Sequence, residues 1–167
     1  MDGDQPTTEG PAEQDAADTS GDRPWVTDDP DRLVRKGHGA GDVLEAWRWR
    51  VLRRDVGLLE VEAHLPEGLK NPQGQLFGGF TTTYVDFVSL HTVHSLDPGR
   101  DPTSPKDWLT TINMRCDYFE PIFGPTFRVL GEVVNTRGRT SLVSAKFWQD
   151  DTMAAHAITT LRRVPPA

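Results

Sequence analysis

The chain has 167 residues, enough for one ordinary domain with a hydrophobic core, and its formal net charge is −7. Residues 1–31 carry ten acids and one base, whereas the remainder is net +2, so the acidity gives no indication of what a folded domain would bind. A weakly basic remainder without a recognisable motif argues against nucleic acid as a partner, and the lack of an apolar run of spanning length argues against a membrane protein.

The first 28 residues are predicted to be a disordered acidic tail. Acids, Pro, Gly, Ser and Thr dominate this segment, so it cannot bury enough apolar surface to offset its chain entropy. Trp25 and Val26 could pin its end to the domain. The segment lacks the basic and apolar regions of a signal peptide, and the lone Cys116 cannot form an internal disulfide. We therefore expect a cytoplasmic protein with a single folded domain over 29–167.

Two alternating stretches, 47–51 and 59–65, predict the strands of a hairpin. In each stretch apolar side chains alternate with charged or polar ones, which is the period of a half-buried strand. The Asp-Val-Gly sequence at 55–57 suits the connection between them. Before the hairpin, the polar and Gly-rich stretch 31–42 predicts only one short helical turn, near Leu33.

The stretch 71–96 is predicted to contain a long helix around which the other elements are arranged. A polar, turn-forming entry leads to Gly78 and Gly79, and an apolar segment of helical length follows. The three threonines at 81–83 are poor helix formers, so we expect packing against a sheet to hold this helix. Asp-Pro-Gly then ends the helix and opens a Pro-rich loop over 97–106.

Strand-like segments follow the loop at near-regular spacing. They cover 109–119, 126–135, 141–149 and 154–164. Cys116 lies in phase with the apolar residues from Ile112 to Tyr118, so it is predicted to be a small core residue and not a nucleophile. Short turns between the last three segments imply antiparallel neighbours. The order of elements predicts an α+β fold, in which an antiparallel sheet of five to six strands wraps around one long central helix.

Gly78 and Gly79 leave the backbone unshielded where the helix begins. The first N–H groups of a helix have no partner within it and carry the positive end of its dipole, so they can hold an anion or a developing oxyanion. Eight residues after Gly78, Asp86 lies among apolar residues, where a carboxylate must be partnered, exposed on a narrow face or functional. A tight turn and a solvated acid would explain the same features without a function.

The spacing of these residues resembles the signature of the PaaI-like acyl-CoA thioesterases, a hotdog-fold family. The family pattern is Asn, two residues, Gly, two residues, His-Gly-Gly, and then an acid at the distance found here. Asn71, Gly74, the glycine pair and Asp86 match this pattern, whereas Phe77 stands where the family usually has His. The resemblance extends to about Val164 and implies the hotdog fold, the same order of elements that the strand and helix patterns predict.

The resemblance implies hydrolysis of acyl-CoA thioesters to free acid and CoA without a cofactor. The Gly78 N–H would stabilise the tetrahedral intermediate, and Asp86 would activate water as a general base or attack the carbonyl directly. Asn71 would orient the water or bind near the carbonyl, and Thr111 falls where relatives often carry a hydroxyl residue near the acid. Asn71 could equally be a turn residue before Pro72, and Thr111 a plain strand residue.

Helix geometry constrains how Gly78 and Asp86 could act together. Eight helical residues span about 12 Å, whereas an oxyanion donor and the acid must both lie about 3 Å from the reacting group. If both act on one carbonyl, Asp86 must come from a second copy of the chain across a two-fold interface. The family resemblance also implies a homo-oligomer, either a dimer or a dimer of dimers with shared sites.

Phe77 is the departure from the family pattern that bears most on activity. A phenyl ring can neither donate a hydrogen bond nor hold the loop, but the Gly78 N–H survives the change. Phe77, Gly79 and Phe80 are predicted to bind the acyl group. The departure leaves a second function open, a non-catalytic protein that binds acyl-CoA or another acyl ligand at a degenerate site. A hotdog hydratase would need a His in the site, and none stands next to this motif.

The phosphates of coenzyme A would need bases near loops. Arg137 and Arg139, in the turn before the third of the late strands, are the best candidates, ahead of Lys70 and Arg100. Each of these residues could equally be a solvated surface charge.

No metal site or catalytic serine is predicted. His91, His94 and Asp97 recur along one drifting helix face but lack a fourth ligand or a cysteine cluster. Ser89 and Ser95 fall inside the predicted helix and lack the exposed elbow that a nucleophilic serine needs.

Overall fold

The computed structural model describes residues 27, 29–99 and 108–164. The predicted tail, apart from Thr27, and most of the predicted Pro-rich loop, including Arg100, lie outside these residues. The elements in chain order are α1 (Gly39–Val43), β1 (Arg50–Asp55), β2 (Leu58–His64), α2 (Gly78–His94), β3 (Leu109–Tyr118), β4 (Thr126–Arg137), β5 (Thr140–Gln149) and β6 (Thr152–Arg163). No helix in the described ranges is long and apolar enough to cross a membrane.

All six strands belong to one antiparallel sheet in the order β1-β2-β4-β5-β6-β3. The chain therefore crosses from β2 to the opposite edge through α2 and β3 before β4 returns to pair with β2. One long helix against an antiparallel sheet confirms the predicted α+β hotdog architecture. β1 and β3 are the two edge strands.

Three hairpins have two-residue connections, at 56–57, 138–139 and 150–151. Each contains a residue with positive φ: Gly57 at 75°, Gly138 at 60° and Asp150 at 53°. Short hairpin connections commonly contain a residue of this backbone conformation, which glycine and aspartate adopt more readily than most residues. The turns that the sequence predicted at these three places are therefore present.

α2 packs closely against the centre of the sheet. A Cβ atom at Gly131 in β4 would lie 2.3 Å from Thr92 Oγ1, so only glycine allows the helix to approach this strand so closely. Near the other end of the helix, the Tyr84 ring stacks on Trp49 with centroids 5.2 Å apart, and its hydroxyl donates to the His64 carbonyl at 2.7 Å. Packing of this kind supports a helix whose own propensity is low.

The segment before the sheet differs from the sequence-based expectation. Residues Ala46–Arg48 form a 3₁₀ turn, so the first strand begins at Arg50 and not at Trp47. Trp47 is half-buried and Arg48 exposed within the 3₁₀ turn, so the alternation of exposure begins there before the strand does. The helical turn predicted near Leu33 is a hydrogen-bonded turn over 29–32, and the short helix α1, capped by His38, was not predicted.

A bulge in β3 removes Ile112 from its predicted phase. Thr111 and Asn113 pair with consecutive residues of β6, so Ile112 is the extra residue, and its side chain is 55% exposed. Met114 and Cys116 regain the core-facing phase and pack against the main hydrophobic core. This placement agrees with the core role predicted for Cys116.

Candidate active site

The start of α2 presents two backbone N–H groups that have no acceptor in the described part of the chain. The N-cap residue Phe77 supplies no side-chain cap; its own N–H donates to the Leu69 carbonyl at 3.0 Å, and the Phe80 N–H donates to the Phe77 carbonyl at 2.8 Å. The remaining donors belong to Gly78 and Gly79, and both glycines are exposed. These two amides, at the positive end of a 17-residue helix, can hold an oxyanion.

A cleft of about 380 Å³ opens beside Gly78. Its lining residues include Asn71, Gly78, Thr81, Tyr118, Ile122 and Ala155. The cleft is thus formed where the end of β3 and the start of β6 meet the start of α2. Asp86 and Thr111 are not among its lining residues.

Asn71 organises the loop that leads into the helix. Its Oδ1 accepts the backbone N–H groups of Gln73 at 2.9 Å and Gln75 at 3.1 Å, and its Nδ2 donates to Gln75 Oε1 at 3.3 Å. Such bonds are typical of an Asn in a turn. The residue therefore holds the loop and lines the cleft next to Gly78.

Tyr118 lines the cleft, although the sequence analysis gave it no role in a site. It ends β3, and its hydroxyl donates to the Gly78 carbonyl at 2.8 Å. Its side chain is 53% exposed although its phase points toward the helix, because the cleft lies in front of it. The contact joins residues 40 positions apart, and no local spacing could have indicated it.

Asp86 and Thr111 are brought together farther along the helix. Asp86 is half-buried in α2, and the Thr111 hydroxyl donates to its Oδ1. The β3 bulge follows Thr111 directly, and bulges commonly re-aim a neighbouring side chain. A carboxylate among apolar residues is thereby given a hydrogen-bonding partner, as its surroundings require.

One chain does not bring the acid to the free amides. Gly78 contacts Tyr118 at the end of β3, whereas Asp86 contacts Thr111 seven residues earlier on the same strand. Along α2 the two residues are separated by about 12 Å. The glycine amides with Tyr118, called the amide half below, thus lie at one end of β3, and Asp86 with Thr111, called the acid half, lies toward the other.

Phe77, Gly79 and Phe80 form an apolar patch beside the helix start. The Phe77 and Phe80 rings meet at 6.0 Å, and Phe77 is 54% exposed. A Cβ atom on Gly79 would lie 3.0 Å from the Phe77 ring, so this ring leans over the glycine. The three residues predicted to bind the acyl group therefore adjoin the two amides, but they are not part of the cleft wall.

Arg137 and Arg139 lie at the end of the sheet that carries the acid half. Both are exposed, Arg137 as the last residue of β4 and Arg139 in the β4–β5 turn, and neither forms an ion pair within the described residues. Arg162 in β6 is a third exposed arginine at this end of the sheet. It pairs with Thr140, next to Arg139, on one side and with Thr110, next to Thr111, on the other. Lys70, the other described candidate, pairs with Glu67 near the helix start.

The histidines and serines at 89–95 lie in the last turns of α2 or, for Ser95, at its C-cap. Within 27, 29–99 and 108–164, no group of three His, Cys, Asp or Glu side chains could hold a metal ion. Burial lowers the pKa of His91 well below its usual value. Ser89 is fully buried, and Ser95 Oγ accepts the Gly57 N–H at 2.9 Å and donates to the Thr92 carbonyl at 2.7 Å. Neither serine is presented as a nucleophile.

Comparisons with known proteins agree with this fold. The family profile described as Thioesterase superfamily matches residues 73–156. The Escherichia coli PaaI protein, from the phenylacetic acid degradation operon, superposes with a TM-score of 0.64 at 14% identity, over 78% of this chain and 88% of that one. No curated protein matches the chain in sequence.

Two further solved structures share the architecture. A hypothetical thioesterase of Streptococcus pneumoniae, solved with coenzyme A, has a TM-score of 0.61 at 19% identity and covers 71% of this chain and 90% of its own. The zebra fish thioesterase superfamily member 2 has a TM-score of 0.61 at 19% identity, with coverages of 71% and 83%. At these identities the superpositions establish the fold.

Proposed function

Because the chain belongs to the thioesterase superfamily, we propose that it hydrolyses acyl-CoA thioesters to a free acid and CoA, at a site shared between two subunits. The observation that carries the proposal is the pair of unpartnered amides at Gly78 and Gly79, together with a Thr111-bound acid that the same chain keeps about 12 Å away. The matched region 73–156 includes all four residues.

The proposed chemistry uses the two halves on one carbonyl. The thioester oxygen binds at the amide half, and water attacks the carbonyl carbon as Asp86 of the partner subunit takes its proton. The amides hold the tetrahedral oxyanion, whose collapse breaks the C–S bond and releases CoA with that proton. In the alternative course, the carboxylate attacks the carbonyl carbon directly, and collapse of the intermediate breaks the C–S bond and expels CoA as a thiolate. Water then hydrolyses the mixed anhydride to free acid and the Asp86 carboxylate, and the proton released goes to the thiolate. Thr111 would orient the acid, and Asn71 the loop beside the carbonyl.

The exposed edge of β3 supports a second copy of the chain as the source of the acid. β3 has ten residues and, within the described ranges, no strand beside it on one side; an edge of this length is prone to pair with another strand. Because the bulge residue Ile112 takes no place in the register, Thr111 and Tyr118 each lie three paired positions from the point occupied by Arg115. An antiparallel two-fold pairing about that point would set Thr111 opposite Tyr118 of the partner subunit and bring the acid half to the amide half.

CoA is proposed as the carrier because three exposed arginines with no ion-pair partner among the described residues lie near the acid half. Arg137, Arg139 and Arg162 could bind the phosphates of a CoA whose thioester reaches the site between subunits. The arginines and the acid would then come from the same subunit. The Streptococcus pneumoniae structure of the same fold, solved with coenzyme A, supports this choice.

The test is release of CoA thiol from short, medium, long and aryl acyl-CoAs. We expect turnover by the wild type and a fall in kcat of at least about a hundredfold in Asp86→Asn, the usual contribution of a general base. Asp151→Asn, an exposed acid in the β5–β6 turn, is the matched control and should behave as wild type. If every acyl-CoA binds but none is hydrolysed, the chain is a non-catalytic acyl-ligand binder, in agreement with the change from the family's His to Phe77.

A further inference from the structure

We propose that Tyr118 is a positioning residue for the oxyanion site, whose hydroxyl fixes and polarises the Gly78–Gly79 peptide so that the Gly79 N–H acts as a second oxyanion donor. The inference rests on the proposed function and adds to it the residue that holds the donors in place. Three features carry it: the hydrogen bond itself, the chemistry of the peptide that receives it, and the absence of a local cap.

The hydrogen bond links a fixed strand to the start of the helix. Tyr118 Oη donates to the Gly78 carbonyl at 2.8 Å, and a Cβ atom on Gly78 would lie 3.6 Å from the Tyr118 ring, so the ring rests against this glycine. The backbone of Tyr118 is held by β6, and the next two N–H groups, of Phe119 and Glu120, both donate to the Ala154 carbonyl. The tether therefore begins from a rigid part of the sheet.

The acceptor belongs to the peptide group that contains the Gly79 N–H. In a trans peptide the carbonyl oxygen of one residue and the N–H of the next lie on opposite sides of one plane. A donor on the Gly78 oxygen therefore orients the Gly79 N–H and strengthens it, since hydrogen bonds in a chain polarise one another. Because this N–H has no acceptor in the described residues, the added polarisation is available to a ligand.

The start of α2 needs such a tether because its own sequence provides none. Phe77 occupies the N-cap position, where a Ser, Thr, Asp or Asn side chain would ordinarily bond to the first turn, and it makes no side-chain cap. Two glycines follow, and glycine has the greatest backbone freedom. Partial loss of solvent around the phenol raises the pKa of Tyr118 above its usual value although about half of the residue is exposed, so the hydroxyl stays protonated and remains a donor.

The first experiment removes only the hydroxyl. In Tyr118→Phe we expect kcat to fall about fivefold while KM stays within about twofold, because a weakened donor acts on the oxyanion more than on the neutral thioester. The matched control is Tyr84→Phe, since the Tyr84 hydroxyl also donates to a carbonyl, that of His64, but far from the helix start. The control should lower the melting temperature and leave kcat unchanged.

The second experiment grades the donor strength. The chain has only two tyrosines, so in the Tyr84→Phe background biosynthetic 3-fluorotyrosine is incorporated at position 118 alone. The more acidic phenol is a stronger donor, and we expect kcat to rise above that of the unlabelled background. In isotope-labelled protein, the Gly79 amide proton should shift upfield in Tyr118→Phe and downfield with 3-fluorotyrosine, a response that a purely structural role would not produce.

The outcomes separate this inference from the function on which it rests. A wild type that hydrolyses acyl-CoA, with Tyr118→Phe matching the Tyr84→Phe control in kcat, overturns the role of Tyr118 and leaves the proposed function intact. Equal Gly79 amide shifts in wild type and Tyr118→Phe overturn the polarisation itself. A wild type without thioesterase activity refutes the proposed function and this role together.

Discussion

Replacing Gly78 with proline should abolish most activity by removing one hydrogen-bond donor. Gly78 is the first residue of α2, a position where proline is well tolerated because its missing N–H is not used within the helix. The preceding Phe77 has φ −68° and ψ 126°, the extended conformation that a residue before proline prefers. A Cβ atom at position 78 would meet its nearest neighbour, on the Tyr118 ring, at 3.6 Å, an ordinary contact.

The expected loss follows from the value of an oxyanion donor. Removing one such donor typically lowers kcat by about 10² to 10³, or about 3–4 kcal/mol of transition-state stabilisation. Gly78→Ala is the matched control, because it adds the same Cβ but keeps the N–H, and its kcat should lie within about threefold of wild type. Both variants should be as stable as wild type or slightly more so, since each reduces the freedom of the unfolded chain.

The assay follows free thiol with a chromogenic thiol reagent over a range of acyl-CoA concentrations, and the melting temperature is measured for each variant. If both variants fold and both keep a kcat near that of wild type, the assignment of the Gly78 N–H as an oxyanion donor is refuted. A loss in both variants would instead indicate that the added side chain, and not the missing proton, disturbs the site.

Thr111→Val should lower kcat about tenfold because it removes the donor to Asp86, and Thr111→Ser, which keeps a hydroxyl, should retain the wild-type kcat. Steady-state kinetics measures both, and a Thr111→Val kcat equal to that of wild type would contradict this role. The double variant Arg137→Ala, Arg139→Ala should raise KM for acyl-CoA about tenfold but not for acyl-pantetheine, which lacks the nucleotide phosphates; parallel changes would exclude phosphate binding. Because burial lowers the pKa of His91 in the folded state, the unfolded state binds the proton first, and the free energy of unfolding should fall as pH drops below about 6.5. Urea unfolding at about pH 7.5 and 5.0 measures how much the free energy of unfolding changes with pH. His91→Gln should reduce this change, and an unaltered change would show that other groups cause it.

The fold could be predicted because its signals are local and repeat along the chain. Alternation of side chains and short turns with Gly or Asp defined the hairpins, and the glycine pair marked the start of α2 at Gly78. The family match confirms the resemblance to thioesterases that the motif indicated, and with it a thioester hydrolase. The sequence-based boundaries were wrong where the period is ambiguous, as at the 3₁₀ turn over Ala46–Arg48, which reads like the first residues of a strand.

Only part of the candidate site could be predicted from the sequence. Gly78 and Asp86 stand close in sequence, so their spacing on one helix could be converted into a distance, whereas Tyr118 reaches Gly78 from 40 residues away. Likewise, nothing in the sequence indicates that β3 gains an extra residue at Ile112, directly after Thr111. Contacts that depend on strand register need the folded sheet, because a shift of one residue exchanges its two faces.

Mixed dimers test the shared site most directly. Asp86→Asn keeps the amide half and Gly78→Pro keeps the acid half, so each variant alone should be nearly inactive. In a heterodimer of the two, purified through different affinity tags, one site combines both intact halves and the other combines both defects. The account predicts about half of the wild-type kcat per dimer; a heterodimer as inactive as its parents would contradict it and confine each site to a single chain.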